Sequence, residues 1–193
     1  MQKKINKFLL TGLPGCGKTT VIMRLADMLK TGKIAGFYTQ EIRNTGQRTG
    51  FSLQTFGGQK SVLSSINLKN GPKVGRYRVD VKGFEQTVLP ELVKNKAVDL
   101  YLIDEIGKME CFSSRFIEMI KQILNSSLPL VATVALKGSG FIADVKERED
   151  VKLITVTAEN RNMLPSKISS QLNIQGNLKN FKNPYLTMND YDS

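Results

Sequence analysis

The sequence predicts an α/β protein: a mostly parallel sheet with helices on both faces and an inserted antiparallel β-meander. Three observations predict it. Gly12-Leu13-Pro14-Gly15-Cys16-Gly17-Lys18-Thr19 has the spacing G-x-x-x-x-G-K-T and stands between a short apolar run and a run of helical period. Residues 97–106 form a near-continuous apolar run that ends in Asp104 and Glu105. Downstream of that run, helical and strand-like segments alternate, as they do where helices cross over a parallel sheet.

Taken in order, Lys7-Phe8-Leu9-Leu10-Thr11 reads as a buried strand, and Ile22, Leu25, Ala26 and Leu29 fall on one face of a helix over 20–30. Between them the glycines let backbone N–H groups turn inward with no Cβ in the way. The helix that follows begins with unpaired N–H groups and about half a positive charge. Such a loop suits a polyphosphate. Gly12, Leu13, Pro14, Gly15, Cys16, Gly17, Lys18, Thr19 and Thr20 are therefore the expected phosphate-binding residues. Lys18 is placed to reach the β- and γ-phosphates, and the Thr19 hydroxyl to ligate Mg²⁺. Cys16 reads as a small loop filler.

The meander is expected from strands at 34–42, 48–56 and 61–66, with turn chemistry at Asn44-Thr45-Gly46-Gln47 and Gly57-Gly58-Gln59. Arg43 and Arg48 sit near its first turn. An arginine there suits a catalytic finger supplied in cis; a charged hairpin tip facing water fits equally for Arg48 and better for Arg43. Residues 75–80 read as a short basic strand or loop. Tyr77 and Arg78 there are open to a base or ribose contact or to a plain edge-strand role. Residues 84–95 read as a helix on Phe84, Val88 and Leu92, with Pro90 arguing for a kink or an early break.

The second anchor is the apolar run itself. Fully apolar strands belong to parallel sheets covered on both faces, and ligands bind beyond the carboxyl ends of such strands. Leu100, Tyr101, Leu102, Ile103, Asp104, Glu105, Ile106 and Gly107 make up the second expected nucleotide-binding segment. Asp104 fits a metal ligand beside Thr19, and Glu105 fits the base that polarises an attacking water. The crossover pattern predicts that the phosphate loop and the Asp104 strand stand at neighbouring C-terminal edges.

Beyond it come a helix over 112–124, a strand over 129–135, a helix over 141–148 and a strand over 151–156. Thr133 reads as a γ-phosphate sensor or as an ordinary β-branched strand residue. After the last strand, Asn160 and Arg161 stand where they could flank a nucleobase. Thr157 equally suits the N-cap of a final helix. Residues 1–171 are expected to be one domain, and 172–193 a polar, Asn-rich tail.

With 193 residues, 40% hydrophobic and 23% charged, the composition is that of an ordinary globular domain. No apolar stretch nears the roughly 20 residues of a membrane helix, and the N-terminus does not read as a signal peptide, so the expected address is cytoplasmic. The net charge of +11 suits an anionic ligand and leaves nucleic acid open as a partner, though no basic stripe interleaved with aromatics supports one. The sequence does not decide the oligomeric state. There is no histidine, which removes Ser-His-Asp and Cys-His catalysis and His-ligated zinc together.

The runs G-L-P-G-C-G-K-T-T, G-F-Y-T-Q-E-I-R, V-G-R-Y-R-V-D, D-E-I-G-K-M-E and V-T-A-E-N-R-N, in this order over residues 7–168, resemble the THEP-type nucleoside-triphosphatases. D-E-I-G-K-M-E and the hairpin signature carry the likeness more specifically than the phosphate loop. The resemblance implies a RecA-like P-loop fold of the class with an added catalytic Glu. It also implies Mg²⁺-dependent hydrolysis of several nucleoside triphosphates to diphosphate and phosphate. Lys18, Glu105 and Arg48 are then the expected catalytic residues, and Thr19 and Asp104 the metal ligands. The alternative is a nucleoside, nucleotide or nucleic-acid kinase on the same core, for which 137–150 is the one lid candidate.

Overall fold

The computed structural model describes residues 5–30, 32–93 and 97–172. The expected tail falls outside them except for Leu172, which is buried against the last helix and belongs to the core.

A nine-stranded sheet runs through the molecule. Its parallel half comprises β1 (Lys7–Thr11), the first residues of β2 (Ile34–Asn44), β7 (Leu100–Ile106), β8 (Leu130–Val134) and β9 (Lys152–Thr155). Its antiparallel half adds β3 (Gln47–Thr55), β4 (Lys60–Ser65), β5 (Lys73–Val74) and β6 (Tyr77–Val79) beyond β2. The strand order is β5-β6-β4-β3-β2-β7-β8-β1-β9.

The period-two pattern of the apolar strands explains the two helical layers. Phe8, Leu10, Leu100, Leu102 and Val131 pack with Val21, Ile22 and Leu25 of α1 (Lys18–Met28) and with Leu164 and Ile168 of α5 (Leu164–Gln171). The alternate residues Leu9, Tyr101, Ile103, Leu130 and Ala132 pack on the other face. There they meet Phe84, Val88 and Leu92 of α2 (Val81–Leu92) and Phe116, Ile120 and Ile123 of α3 (Ser114–Leu124).

The inserted antiparallel meander is present and is continuous with the parallel sheet. β2 is one strand with two partners: Ile34 to Phe37 pair in parallel with β7, and Phe37 to Asn44 pair antiparallel with β3. The hairpin therefore stands beyond the C-terminal edge of the parallel sheet, on the side where the phosphate loop lies.

Several local expectations are corrected. α2 begins at Val81, capped by Asp80, whose carboxylate accepts from the Gly83 N–H at 2.9 Å, and it runs past Pro90 to Leu92. Burial of Leu89 and Leu92 outweighs the lost N–H of a proline so near the helix end. α3 starts two residues later than expected, after a 3-10 turn at Glu110–Phe112, because Ser113 caps it by accepting from the Phe116 N–H at 3.0 Å. The expected helix over 141–148 shrinks to one turn, α4 (Phe141–Asp144). Thr157 caps nothing: residues 158–163 are turns, and α5 begins at Leu164 with Pro165 in its first turn. Lastly, β1 and β7 are not neighbours in the sheet, because β8 runs between them.

Candidate active site

The site is built at the C-terminal ends of β1, β7 and β8. The loop leaving β1 needs glycine at defined points. Gly12 has φ +151°, and a Cβ there would lie 2.7 Å from the Val156 carbonyl oxygen and 2.9 Å from Cys16 Sγ. Gly15 and Gly17 have φ +74° and +105°, in the left-handed region. Gly17 leads directly into α1, so the first amides of that helix face the loop. Lys18 folds back over the loop: its Nζ donates to the carbonyls of Gly12 at 3.1 Å and Leu13 at 3.3 Å. Leu13, Pro14, Gly15 and Thr20 are exposed along the same rim.

The carboxylates converge on this loop. Thr19 Oγ1 donates to Asp104 Oδ2 at 2.7 Å. Thr133 Oγ1 of β8 donates to Asp104 Oδ1, also at 2.7 Å. Asp104 is 2% exposed. Burial pushes its carboxyl above the ordinary value, while the hydroxyls of Thr133 and Thr19, the Thr39 backbone N–H and the charge of Lys18 pull it back. The β7–β8 register shifts between Ile103 and Ile106. That irregularity falls on the two carboxylates, where a bulge re-aims side chains. The peptide joining them is cis.

Glu105 follows Asp104 at the strand end. It lines a cavity of about 290 Å³ with Thr39, Phe51, Gly107, Lys108, Glu110 and Lys137 among its walls. Burial raises its carboxyl, the Lys18 charge lowers it, and Asp104 raises it again. Glu110 shares this space: a Cβ on Gly107 would lie 2.9 Å from Glu110 Oε2 and 3.0 Å from Glu105 Oε1. A Cβ at position 107 would press on both carboxylates. Burial, with the charges of Glu105 and Asp104 adding to it, pushes Glu110 up to about 8.

The expected residues thus divide. Lys18, Thr19, Asp104 and Glu105 are brought together. Leu100, Tyr101, Leu102, Ile103 and Ile106 are 0–1% exposed and sunk in the two cores. They hold the carboxylates at the strand end and present no side chain to a ligand. Arg48 is not brought to the loop. Its Nε donates to Tyr77 Oη at 3.0 Å, its Nη1 donates to Glu41 at 2.7 Å, and it stacks over Phe51 at 5.0 Å. Arg43 is likewise bound to Glu41 and to the Gly46 carbonyl. Asn160 spends both ends of its amide on backbone, accepting from the Thr157 N–H at 2.9 Å and donating to the Thr155 carbonyl at 2.8 Å. Arg161 lies beside the loop, its Cδ 3.0 Å from where a Gly17 Cβ would stand. The sequence leaves Thr133 between two roles and places Lys108, Met109 and Glu110 close enough to contact the phosphate or metal shells. The signal for Glu110 was an acidic residue five places after Glu105 across a glycine.

The donor set fits Mg²⁺. Asp104 and Thr19 offer hard oxygen atoms side by side, and among the described residues no cluster of three or more His, Cys, Asp or Glu side chains competes for a softer ion. Mg²⁺ keeps most of its shell as water and substrate phosphate, so one carboxylate and one hydroxyl suffice.

No helix among the described residues is long and apolar enough to cross a membrane. A family model described as NTPase matches residues 7–169. The chain is 38% identical over 167 residues to the nucleoside-triphosphatase THEP1 of Thermotoga sp. (strain RQ2), covering 86% of this chain and 95% of that protein. It is 39% identical over 171 residues to the cancer-related nucleoside-triphosphatase of Homo sapiens, covering 80% of this chain and 90% of that one. The crystal structure of THEP1 from the hyperthermophile Aquifex aeolicus superimposes with a TM-score of 0.79 at 34% identity, over 86% of this chain and 99% of that one.

Proposed function

The chain belongs to the NTPase family and is a nucleoside-triphosphatase, and from that premise we propose that it hydrolyses nucleoside triphosphates of any base, with Mg²⁺, to the diphosphate and phosphate. One observation carries the reading: the Thr19 hydroxyl of the phosphate loop sits 2.7 Å from a buried carboxylate of a different strand, with Lys18 on the same loop. Nothing in folding alone asks for a carboxylate that is 2% exposed at the edge of a sheet.

In this reading the loop amides and Lys18 hold the polyphosphate. Lys18 exchanges its two loop carbonyls for phosphate oxygens, which cost it less to meet because they are charged. Thr19 and Asp104 would hold Mg²⁺, which would supply positive charge to offset the charge that develops on the phosphates. Thr133 keeps Asp104 aimed by tying down the oxygen that faces away from Thr19. Glu105 accepts the proton of a water that attacks the γ-phosphorus, and the bond to the bridging oxygen breaks. Its cavity beside Thr39 and Gly107 gives that water a place to stand. Catalysis is then positioning plus electrostatics.

The segment 137–150 favours hydrolysis over transfer to a bulky acceptor. Ile142 and Val145 are buried, and Lys146 donates to the carbonyls of Ala135 and Leu136 at 3.3 and 3.2 Å. That segment is fastened to the core and does not have the build of a hinged lid.

The test is a phosphate-release assay on a panel of triphosphates with and without Mg²⁺. Glu105→Gln is expected to bind nucleotide as the parent does and turn over about 10²-fold more slowly or worse. Lys18→Ala is expected to lose affinity and turnover together. Hydrolysis that persists in Glu105→Gln removes Glu105 from the role of base.

A further inference from the structure

The strand order sets the direction of a bound nucleotide. Asp104 and Glu105 end β7, which lies on one side of β1 with β8 between. β9 lies on the other side of β1, and its C-terminal end leads into Thr157 to Met163. With the γ-phosphate at the carboxylates, the far end of the nucleotide points across the loop toward β9. From β7 to β9 is three strand spacings, about 14 Å, a span suited to an extended nucleoside triphosphate.

The loop after β9 is rigidly pinned, and its polar side chains are almost all engaged. Asn160 is tied at both ends to backbone. Asn162 accepts from Arg24 of α1 at 2.9 Å. Thr157 and Glu159 are hydrogen-bonded to each other. The exception is Arg161, which offers Glu159 its charge but no hydrogen bond. The chain has eight arginines. Seven of them donate hydrogen bonds from their guanidinium groups. Arg161 donates none from its guanidinium among the described residues. Its stem instead crosses Gly17, with Nη1 3.7 Å from where a Cβ would stand. A Cβ on Gly17 would crowd that stem.

Bases differ at their edges, where donors and acceptors are arrayed, and resemble one another on their faces. A guanidinium is planar and stacks on such faces. We infer that Arg161 holds the nucleobase by its face, covering whichever ring is bound and reading none of the edge atoms that distinguish one base from another. This rests on the nucleotide site proposed above and names how its base end is recognised. With both ends of its amide tied to backbone, Asn160 has no group left to read a base edge.

The experiment is calorimetric titration of ADP, GDP, CDP and UDP, the diphosphate products of that reaction, and of pyrophosphate, which carries two phosphates and no base. In Arg161→Ala all four diphosphates should weaken by about two- to fivefold, the size of an exposed cation–π contact. Purines should weaken more than pyrimidines, and pyrophosphate less than any of them. Arg161→Lys keeps the charge without the plane and should leave most of the loss in place. Pyrophosphate weakening as much as the diphosphates, or full rescue by lysine, would mean that Arg161 meets the phosphates and overturns the inference. A loss confined to one base, or no loss at all, overturns it too. Lys18→Ala serves as the separate control: if it weakens none of the five ligands, the phosphate-loop reading fails, whatever Arg161 does.

Discussion

Asp104 shows how much of this site depends on single hydroxyls. Its two oxygens are each held by one threonine, from different elements, at 2.7 Å. Burial works against its charge, and those hydroxyls offset it. Thr133→Val keeps the shape of the strand and removes one of the two. The Asp104 carboxyl should then rise further, and Mg²⁺-supported nucleotide affinity should fall by about 10- to 100-fold, the usual cost of losing a group that orients a metal ligand. Titration of nucleotide with and without Mg²⁺ checks it, since affinity measured without the metal should move far less. At this scale the sequence was legible where a residue type has few uses. Lys18 and Thr19 in a G-x-x-x-x-G-K-T run are such residues, and so are two carboxylates ending an apolar strand. Arg48 was not legible in the same way. Whether an arginine faces a ligand or its own hairpin depends on where Glu41 and Tyr77 stand, and that is settled by strand pairing.

β2 is the element on which the most geometry rests. Gly36 lies in its parallel portion at φ +125°, and a Cβ there would fall 1.9 Å from the Leu102 carbonyl oxygen on β7. That oxygen is backbone and has nowhere to go. Gly36→Ala should therefore destabilise the fold by about 3 kcal/mol or more, from strain and from separation of the two strands. Chemical denaturation would read this directly, and a loss under 1 kcal/mol would show that the strands part freely. The hairpin pattern over Phe51, Leu53 and Thr55 could be read from alternation, and so could its turns. That β2 also belongs to the parallel sheet could not, because its first residues, Ile34 to Phe37, carry no mark of their partner. The final helix was misplaced for a related reason. Thr157 is a good cap by type, but Asn160 takes its N–H and makes a turn instead.

Across the whole molecule, burial of Glu110 links stability to pH. Its carboxyl holds its proton up to about 8 in the folded chain, against 4.5 when exposed. Between those values the folded state binds more protons than the unfolded one, so stability is full below 4.5 and is lost as pH rises through about 8. The loss is on the order of a few kcal/mol. In metal-free buffer, the parent Tm should fall from pH 5 to pH 8, and Glu110→Gln should flatten that slope. Parallel curves for the two would show that Glu110 titrates as an exposed acid. The order of the strands was the least legible feature at this scale. Alternation of helices and strands announces a parallel sheet, but the path of each crossover decides which strands touch. Residues 129–135 read as a strand without any sign that they would run between β1 and β7.

That middle strand has a consequence for how the protein can fail. β8 sets the gauge between the anion's cradle and the acids, and it is locked to both neighbours: Leu9 faces Ala132, and Ile103 faces the same residue. A slide of one position would exchange Thr133 for a flanking residue with only a methyl or isopropyl group to offer, and would turn the rest of the strand inside out. Wear in such a part is not gradual. The enzyme is either in gear or out of it, and a mutation in α3, far from any ligand, could disengage it by loosening the strand that α3 covers.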